Sequence, residues 1–460
     1  MPQLATAHGA PARTRRARPA ATLAVTGAAT AVALMNYTAP MLTLPDTAAA
    51  FGTPDSARAW LLNGTPLGLA VLLLVAGSLA DAHGRRRVFL LGTLALGVTT
   101  GLGAFAGSTL TFTLARIAQG AASAAVLAGS LGLLADAYPS GRDRIRATGI
   151  WGASVSGGIA LGPLLAGALS LVDWRLAYEV LGLAALVTAA AGARALGPDT
   201  AERPRRARPD IPGALALGLA LAALLTALTL GRDGWLRAPV GLLFLAAAVL
   251  TAAFVAVEHR SRTPMVDLAL LRRPAFLAST LGALFTGLAV IGLFSVVPAL
   301  LQSGAGMSPL GAAGLFVLWS GTAFVAALQA RRLAARLSAA YQLTLGFTLS
   351  ATGVLALLGG LEGPWPRLLP GLLVAGAGSG LLNAALPRLA VDSVPPERAA
   401  MGSGANNTAR YIGSAAGVAL TLALTTAGPD AALLVSAGLA LSGAVITLVL
   451  GRRPERQPRR

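Results

Sequence analysis

Gly77-Ser78-Leu79-Ala80-Asp81-Ala82-His83-Gly84-Arg85-Arg86-Arg87 joins two apolar runs, at roughly 57–80 and 88–107. Each run is long enough for a helix to cross a hydrocarbon core ~30 Å thick, which takes about 20 residues. The three consecutive arginines cannot enter that core cheaply, so the stretch reads as a short turn at a membrane surface. Gly77 and Gly84 allow close helix approach and a tight turn. Asp81 is a costly acid at a helix end and needs a neighbouring arginine or a helix N-terminus as partner. On spacing alone, an ordinary basic loop with a capping aspartate accounts for the same residues.

Working outward, further apolar runs lie near 21–44, 111–136, 146–170, 175–196, 211–230 and 239–258, then near 276–302, 310–330, 341–360, 367–390, 402–426 and 431–450. They predict an all-α membrane protein of about fourteen transmembrane helices. A count of twelve would require two runs to be surface helices, and none is amphipathic enough for that. The composition agrees: 55% of the 460 residues are hydrophobic and 12% charged, with mean hydropathy +0.70, against about a quarter charged in a soluble domain. The run after Arg13, Arg15, Arg16 and Arg18 is too long for a signal peptide and contains Asn36 and Pro40, so it reads as an uncleaved first span.

Arginine placement sets the expected orientation. All 36 basic residues are arginine. One side takes Arg13 to Arg18, Arg85 to Arg87, Arg142, Arg144 and Arg146, the group from Arg194 to Arg208, Arg260 to Arg273, Arg331, Arg332 and Arg336, Arg388, Arg398, and the tail from Arg452. The other side has only Arg58, Arg175, Arg232, Arg237 and Arg367. The positive-inside rule then puts both termini in the cytoplasm of a bacterial inner membrane, which requires an even number of spans. It also explains the net charge of +18 without nucleic acid. The expected organisation is a basic arm at 1–20, a first block of six spans at 21–196 and a cytoplasmic linker at 197–210. Two further spans follow at 211–258, then a loop at 259–275, six spans at 276–451 and a basic tail at 452–460. A weak echo between Arg146–Gly152, opening span five, and Arg398–Gly404, opening span thirteen, suggests related halves.

Cysteine is absent, and His8, His83 and His259 stand far apart in polar segments, so no thiol chemistry or metal site is expected. No nucleophile or paired carboxylates gather near one face, which argues against an enzyme. Arg116, followed by Gln119 and Gly120, lies inside span four. A mid-span arginine costs about 2.5–3.5 kcal/mol and should face the protein interior, unless it snorkels to a nearby interface. Gly158, Gly162, Pro163 and Gly167 in span five let helices touch backbone to backbone, with a bend at the proline; a generic packing face would look the same. Asn36, Asn63, Gln119, Gln302, Asn383, Asn406 and Asn407, with Arg410, are polar groups that lipid cannot satisfy, hence candidate cavity residues.

The order Gly77, Asp81, Gly84, Arg85, Arg86, Arg87 resembles the signature loop of the major facilitator superfamily. Arg116-x-x-Gln119-Gly120 resembles a second motif of that family, and Gly158 to Gly167 resembles its exporter motif. Trp174-Arg175, the loop from Glu258 to Leu268, and Asn406 to Gly413 are similar to the fourteen-span drug:proton antiporter branch. The resemblance implies a major-facilitator fold of two six-helix halves plus two inserted helices. It implies gating by Asp81 and the loop arginines, coupling at Arg116, and export of an antibiotic, drug or metabolite with the proton gradient as energy source and no cofactor. The expected partners are a small-molecule substrate and the lipid bilayer, with the chain a monomer. One departure stands out. That branch carries an aspartate in span one where this chain has Asn36, two residues before Thr38 and nine before Pro45. An amide does not titrate in the physiological range. Glu179 is the remaining acid clearly inside an apolar run, as a proton carrier or as an interfacial partner of Arg175. An importer of the same superfamily and a non-transporting membrane sensor are the alternatives.

Overall fold

The computed structural model describes residues 19–138, 141–197, 211–231, 234, 236–261, 268–334, 336–395 and 399–451. The basic arm up to residue 18, the linker at 198–210, the loop residues 262–267 and the tail at 452–460 lie outside these. All regular structure among the described residues is helical.

The first span is longer than its sequence suggested. It runs as α1 (Pro19–Thr38) and α2 (Pro40–Phe51), because Pro40 falls at the start of a new helix, where its missing N–H costs nothing. Next come α3 (Arg58–His83), α4 (Arg85–Ala104), α5 (Thr109–Ala137), α6 (Gly141–Leu169) and α7 (Arg175–Ala195). Between α3 and α4, Gly84 takes φ 101°, a conformation that L side chains adopt only under strain. The reciprocal hydrogen bonds of Ser108 and Thr111 close the start of α5. A pair, α8 (Ile211–Leu230) and α9 (Ala238–Arg260), follows.

The second block opens with a broken span. It comprises α10 (Pro274–Phe285), a π-helical segment Thr286–Ile291, α11 (Gly292–Phe294) and α12 (Val297–Ser303). It continues with α13 (Pro309–Ala334), α14 (Ala339–Leu355), α15 (Leu369–Asp392), α16 (Ala399–Leu424) and α17 (Pro429–Gly451). Ten helices among the described residues are individually long and apolar enough to cross a membrane. Of the other expected spans, α14 has 17 residues, α8 contributes the shorter apolar stretch Pro212–Leu224, and α3 and α16 carry amide and charged side chains. Leu91, Val187, Leu242, Leu245 and Val445 are all exposed, a surface that suits lipid and not water.

Helices α1 to α7 pack mainly on one another, as do α10 to α17. Two seams join the blocks: α3 lies against α16, and α6 against α13, with α2 touching α12 nearby. The helices carrying the sequence echo, α6 and α16, each therefore pack on a helix of the opposite block. The α8–α9 pair packs chiefly on itself, and α8 rests on both α3 and α16.

Small residues make these crossings possible. A methyl group on Gly162 would lie 2.8 Å from the Met35 Cα, and one on Gly158 would lie 2.9 Å from the Leu34 Cβ, so both glycines seat α6 on α1. One on Gly167 would meet the Pro309 carbonyl at 2.9 Å, across the seam to α13. Gly149, nearer the start of α6, faces open space. Gly162→Ala should therefore destabilise the protein by about 1–3 kcal/mol through overpacking, whereas Gly149→Ala should stabilise it by about 0.5–1 kcal/mol through helix propensity. Melting curves of the two variants in one detergent, read by gel filtration after heating, give the two signs.

Candidate functional site at the junction of the two blocks

The junction is built from α1, α5 and α16. On α5, Arg116 and Gln119 stand one turn apart, and both are fully buried. The Arg116 Nη1 donates to Gln119 Oε1, and its Nη2 donates to the backbone carbonyl of Asn36 at 2.7 Å. Gln119 passes the link on, donating through Nε2 to the Thr99 carbonyl at 3.0 Å. The Thr100 hydroxyl donates to Asn36 Oδ1 at 3.2 Å. These bonds tie α1, α4 and α5 into one unit. The guanidinium carbon of Arg116 lies 5.8 Å from the centre of the Tyr178 ring, and Tyr178 shares a 2.8 Å hydrogen bond with Thr43. Gly120 completes the motif: a methyl there would lie 3.0 Å from Gly68 Cα, so it lets α5 rest on α3.

Arg116 does not snorkel. It is as buried as the leucines around it, and no carboxylate of the described residues pairs with it; the ion pairs among those residues include Arg58–Asp55 and Arg85–Asp136. Carbonyl and amide oxygens and an aromatic face neutralise it in part, and its Nε has no partner.

Arg410 stands near the middle of α16. Asn406, one turn earlier, donates to the Ser279 carbonyl at 3.0 Å and to its hydroxyl at 2.9 Å, fixing α16 to α10. Beyond it, the π-helical segment lies directly on α16: a methyl on Gly287 would be 2.5 Å from Ser414 N, and one on Gly417 would be 3.0 Å from Gly292 Cα. Segments of this kind recur at functional sites. The Arg410 side chain is partly exposed, and its buried Nε has no hydrogen bond.

Among the described residues, hydrogen bonds that cross between the blocks include those of Tyr37, Asn63 and Gln302. Tyr37 and Ser414 share one of 3.0 Å, Asn63 donates to the Ala415 carbonyl at 2.9 Å, and Gln302 donates to the Leu42 carbonyl at 3.0 Å. The rings of Tyr37 and Tyr411 meet edge to face at 5.8 Å. At the end away from Arg85–Arg87, Leu44, Leu62, Phe112, Trp174, Val296 and Leu422 form one buried cluster spanning both blocks. Nearer the basic end, Gly149, Gly152 and Gly157 of α6 face open space. The end away from the basic loop is thus closed by side chains from both blocks.

The candidate residues thus fall into separate groups. Asn36, Arg116 and Gln119 converge; Asn406 serves its own block, and Asn407 donates to the Ser403 carbonyl of its own helix. Asn383 is partly exposed, and Glu179 is exposed on α7, while Arg175 lays its guanidinium 4.5 Å from the Trp174 ring and not on Glu179. In the signature loop, Arg85 donates to Asp136 at 2.9 Å and to the Gly132 carbonyl at 2.8 Å. Arg86 donates to the carbonyls of Leu196 and Ala193, at the end of α7, where the helix dipole favours a cation. Both arginines therefore clasp their own block. Arg87 is exposed, Gly77 faces open space, and the Asp81 side chain lies outside the described residues. Pro163 sits inside α6 beside Gly162. Sequence reasoning missed Tyr37, Tyr178, Tyr411 and Ser414. The signal was there in outline, since a tyrosine inside an apolar run needs a partner for its hydroxyl. Among the described residues, no three His, Asp or Glu side chains come together as a metal site would require.

The model of the Major Facilitator Superfamily matches residues 26–418. The chain belongs to that superfamily. It is 32% identical over 405 residues to the multidrug resistance protein Stp of Mycobacterium tuberculosis, covering 87% of this chain and 74% of that one. It is also 32% identical over 435 residues to the cephamycin export protein CmcT of Amycolatopsis lactamdurans, covering 89% and 86%. A solved structure of an auto-inhibited POT family peptide transporter shares the fold, with TM-score 0.68 at 15% identity over 95% of this chain and 99% of that one. The chain is thus a multi-pass membrane transporter by family, whose relatives are drug and antibiotic resistance and export proteins, and transport is not an enzyme class.

The absence of cysteine makes the closed end directly testable. A single cysteine replacing Gly152 should react quickly with a membrane-impermeant maleimide, and one replacing Leu44 slowly. Adding Gln302→Ala should raise the Leu44→Cys rate several-fold by removing one cross-block hydrogen bond. Labelling time courses on purified protein check all three.

Proposed function

We propose that this transporter exports a small organic molecule, an antibiotic, drug or secondary metabolite, across the bacterial inner membrane by alternating access. The observation that carries the reading is the junction itself. It is shut by hydrogen bonds and a packed cluster at one end and has two intramembrane arginines near its middle. In this reading the opposite end opens to the cytoplasm, where arginine placement puts both termini. In this reading the chain is a monomer of two six-helix halves, with α8 and α9 inserted between them as spans seven and eight of fourteen.

Direction is inferred from the relatives named for resistance and export, together with the glycine face of α6. Reciprocal crossings of α3 with α16 and α6 with α13 suit a rocking motion that opens one end as it closes the other. The proton gradient is the proposed drive. With an amide at position 36, the proton pathway does not use span one, and Arg116 is placed to sense events at the junction through its links to α1 and α4. Arg85 and Arg86 act in the same scheme as clasps holding the cytoplasmic ends of α4, α5 and α7 together, and Asp81 of the same loop is the proposed gate acid.

Inside-out vesicles test the reading. Imposing a proton gradient should drive accumulation of a drug to which the expressed protein confers resistance, and a protonophore should abolish it. Uptake by right-side-out vesicles instead would make the protein an importer. Arg116→Ala should cut the gradient-driven rate at least tenfold while the protein remains monodisperse. A rate equal to the parent's would assign Arg116 a purely structural part.

A further inference from the structure

We infer that the junction binds its cargo as an organic anion with a flat aromatic body, anchored on Arg410. This deepens the transport reading and rests on it, since it takes the space between the blocks as the cargo path.

Arg410 sits about halfway along α16, at a depth where a charge is costly unless it meets a partner or the space between the blocks. Among the described residues no carboxylate pairs with it, and none pairs with Arg116. Candidate counter-charges are engaged or lie elsewhere. Asp136 is held by Arg85, Glu179 and Asp392 are exposed, and position 36 is an amide donating to its own helix at Val32. Arg116 binds the carbonyl of Asn36, next to Tyr37, and the Tyr37 ring meets that of Tyr411, next to Arg410, so the two positive charges belong to one neighbourhood.

Among the described residues, Arg410 Nε is a buried donor without a hydrogen bond, as are Arg116 Nε and Trp319 Nε1; the Asn63 Oδ1 acceptor and several hydroxyls are also without one. Trp319 belongs to the apolar cluster against which Tyr37 packs. A donor left without an acceptor costs about 1–3 kcal/mol, and an oxygen anion supplies acceptors and charge together in a short, charge-assisted bond. A cationic cargo would supply neither and would meet repulsion from both arginines. The Tyr37–Tyr411 pair beside Arg410 provides an aromatic edge and face for a flat ring. Arg116 is fully enclosed, so it acts without contact, as a second positive charge. Arg410, partly exposed, makes the contact.

The full chain in lipid nanodiscs provides the test, with fluorescein as an aromatic carboxylate probe and ethidium as a flat aromatic cation, each titrated by fluorescence anisotropy. The parent protein should hold fluorescein at least tenfold more tightly than ethidium. Arg410→Gln should weaken fluorescein at least tenfold and leave ethidium unchanged or tighter, while Arg410→Lys retains part of the fluorescein affinity. Tighter binding of ethidium by the parent overturns the inference, whatever the variants do. So does unchanged fluorescein affinity in a monodisperse Arg410→Gln. Anisotropy carries no direction, which separates this result from the export reading. Fluorescein held through Arg410 but carried toward the cytoplasmic side keeps the anion site and removes export. Ethidium exported by a protein that ignores fluorescein keeps export and removes the anion site.

Discussion

Hydrocarbon accepts no hydrogen bonds, and every polar group in this chain is placed under that constraint. A buried amide or guanidinium must find its partner on another helix or on its own, because the surroundings supply none. The Arg116 network answers this by recruiting a side-chain amide, a backbone carbonyl and an aromatic face from three helices. Asn406 answers it by donating twice to Ser279. The polar residues therefore act less as a lining than as stitches, and which helices they join decides which parts of the molecule move together.

Glycine is the complementary device. Apolar side chains gain nothing by leaving lipid for a neighbouring helix, so association depends on close contact. The face of α6 at Gly158 and Gly162 makes that contact within a block, and Gly167 makes it across a seam. One motif thereby combines fixed packing with a contact that must break and re-form. The meeting of the π-helical segment with α16 follows the same logic. It brings two backbones together next to Arg410, so the position of that charge is set by main chain more than by its flexible stem.

Much of the fold was legible in the sequence because lipid reads composition directly: apolar runs of span length and arginines at alternate turns need no tertiary knowledge. The break at Pro40 and the π-helical segment were not legible. The first continues as a new helix through Phe51 with Pro40 at its start, and the second depends on glycines in a helix more than a hundred residues away. Site residues were legible as types but not as pairs. Asn36, Asn63, Gln302 and Asn406 look alike in the sequence, yet two join helices inside a block and two bind across the junction. Glu179 reads as an intramembrane acid by its neighbours, and a turn of α7 carries it to the outside. Helix phase separates these cases, and a run of alanines and leucines conceals it.

The placement of α8 and α9 makes the two flanks of the molecule unequal. Crossings of α3 with α16 and α6 with α13 would, by themselves, give a body with twofold likeness and a matching cleft on each flank. The hairpin stands over the α3–α16 cleft alone. Among the described residues the α6–α13 seam carries no such cover, so whatever surrounds the molecule meets its two seams on different terms.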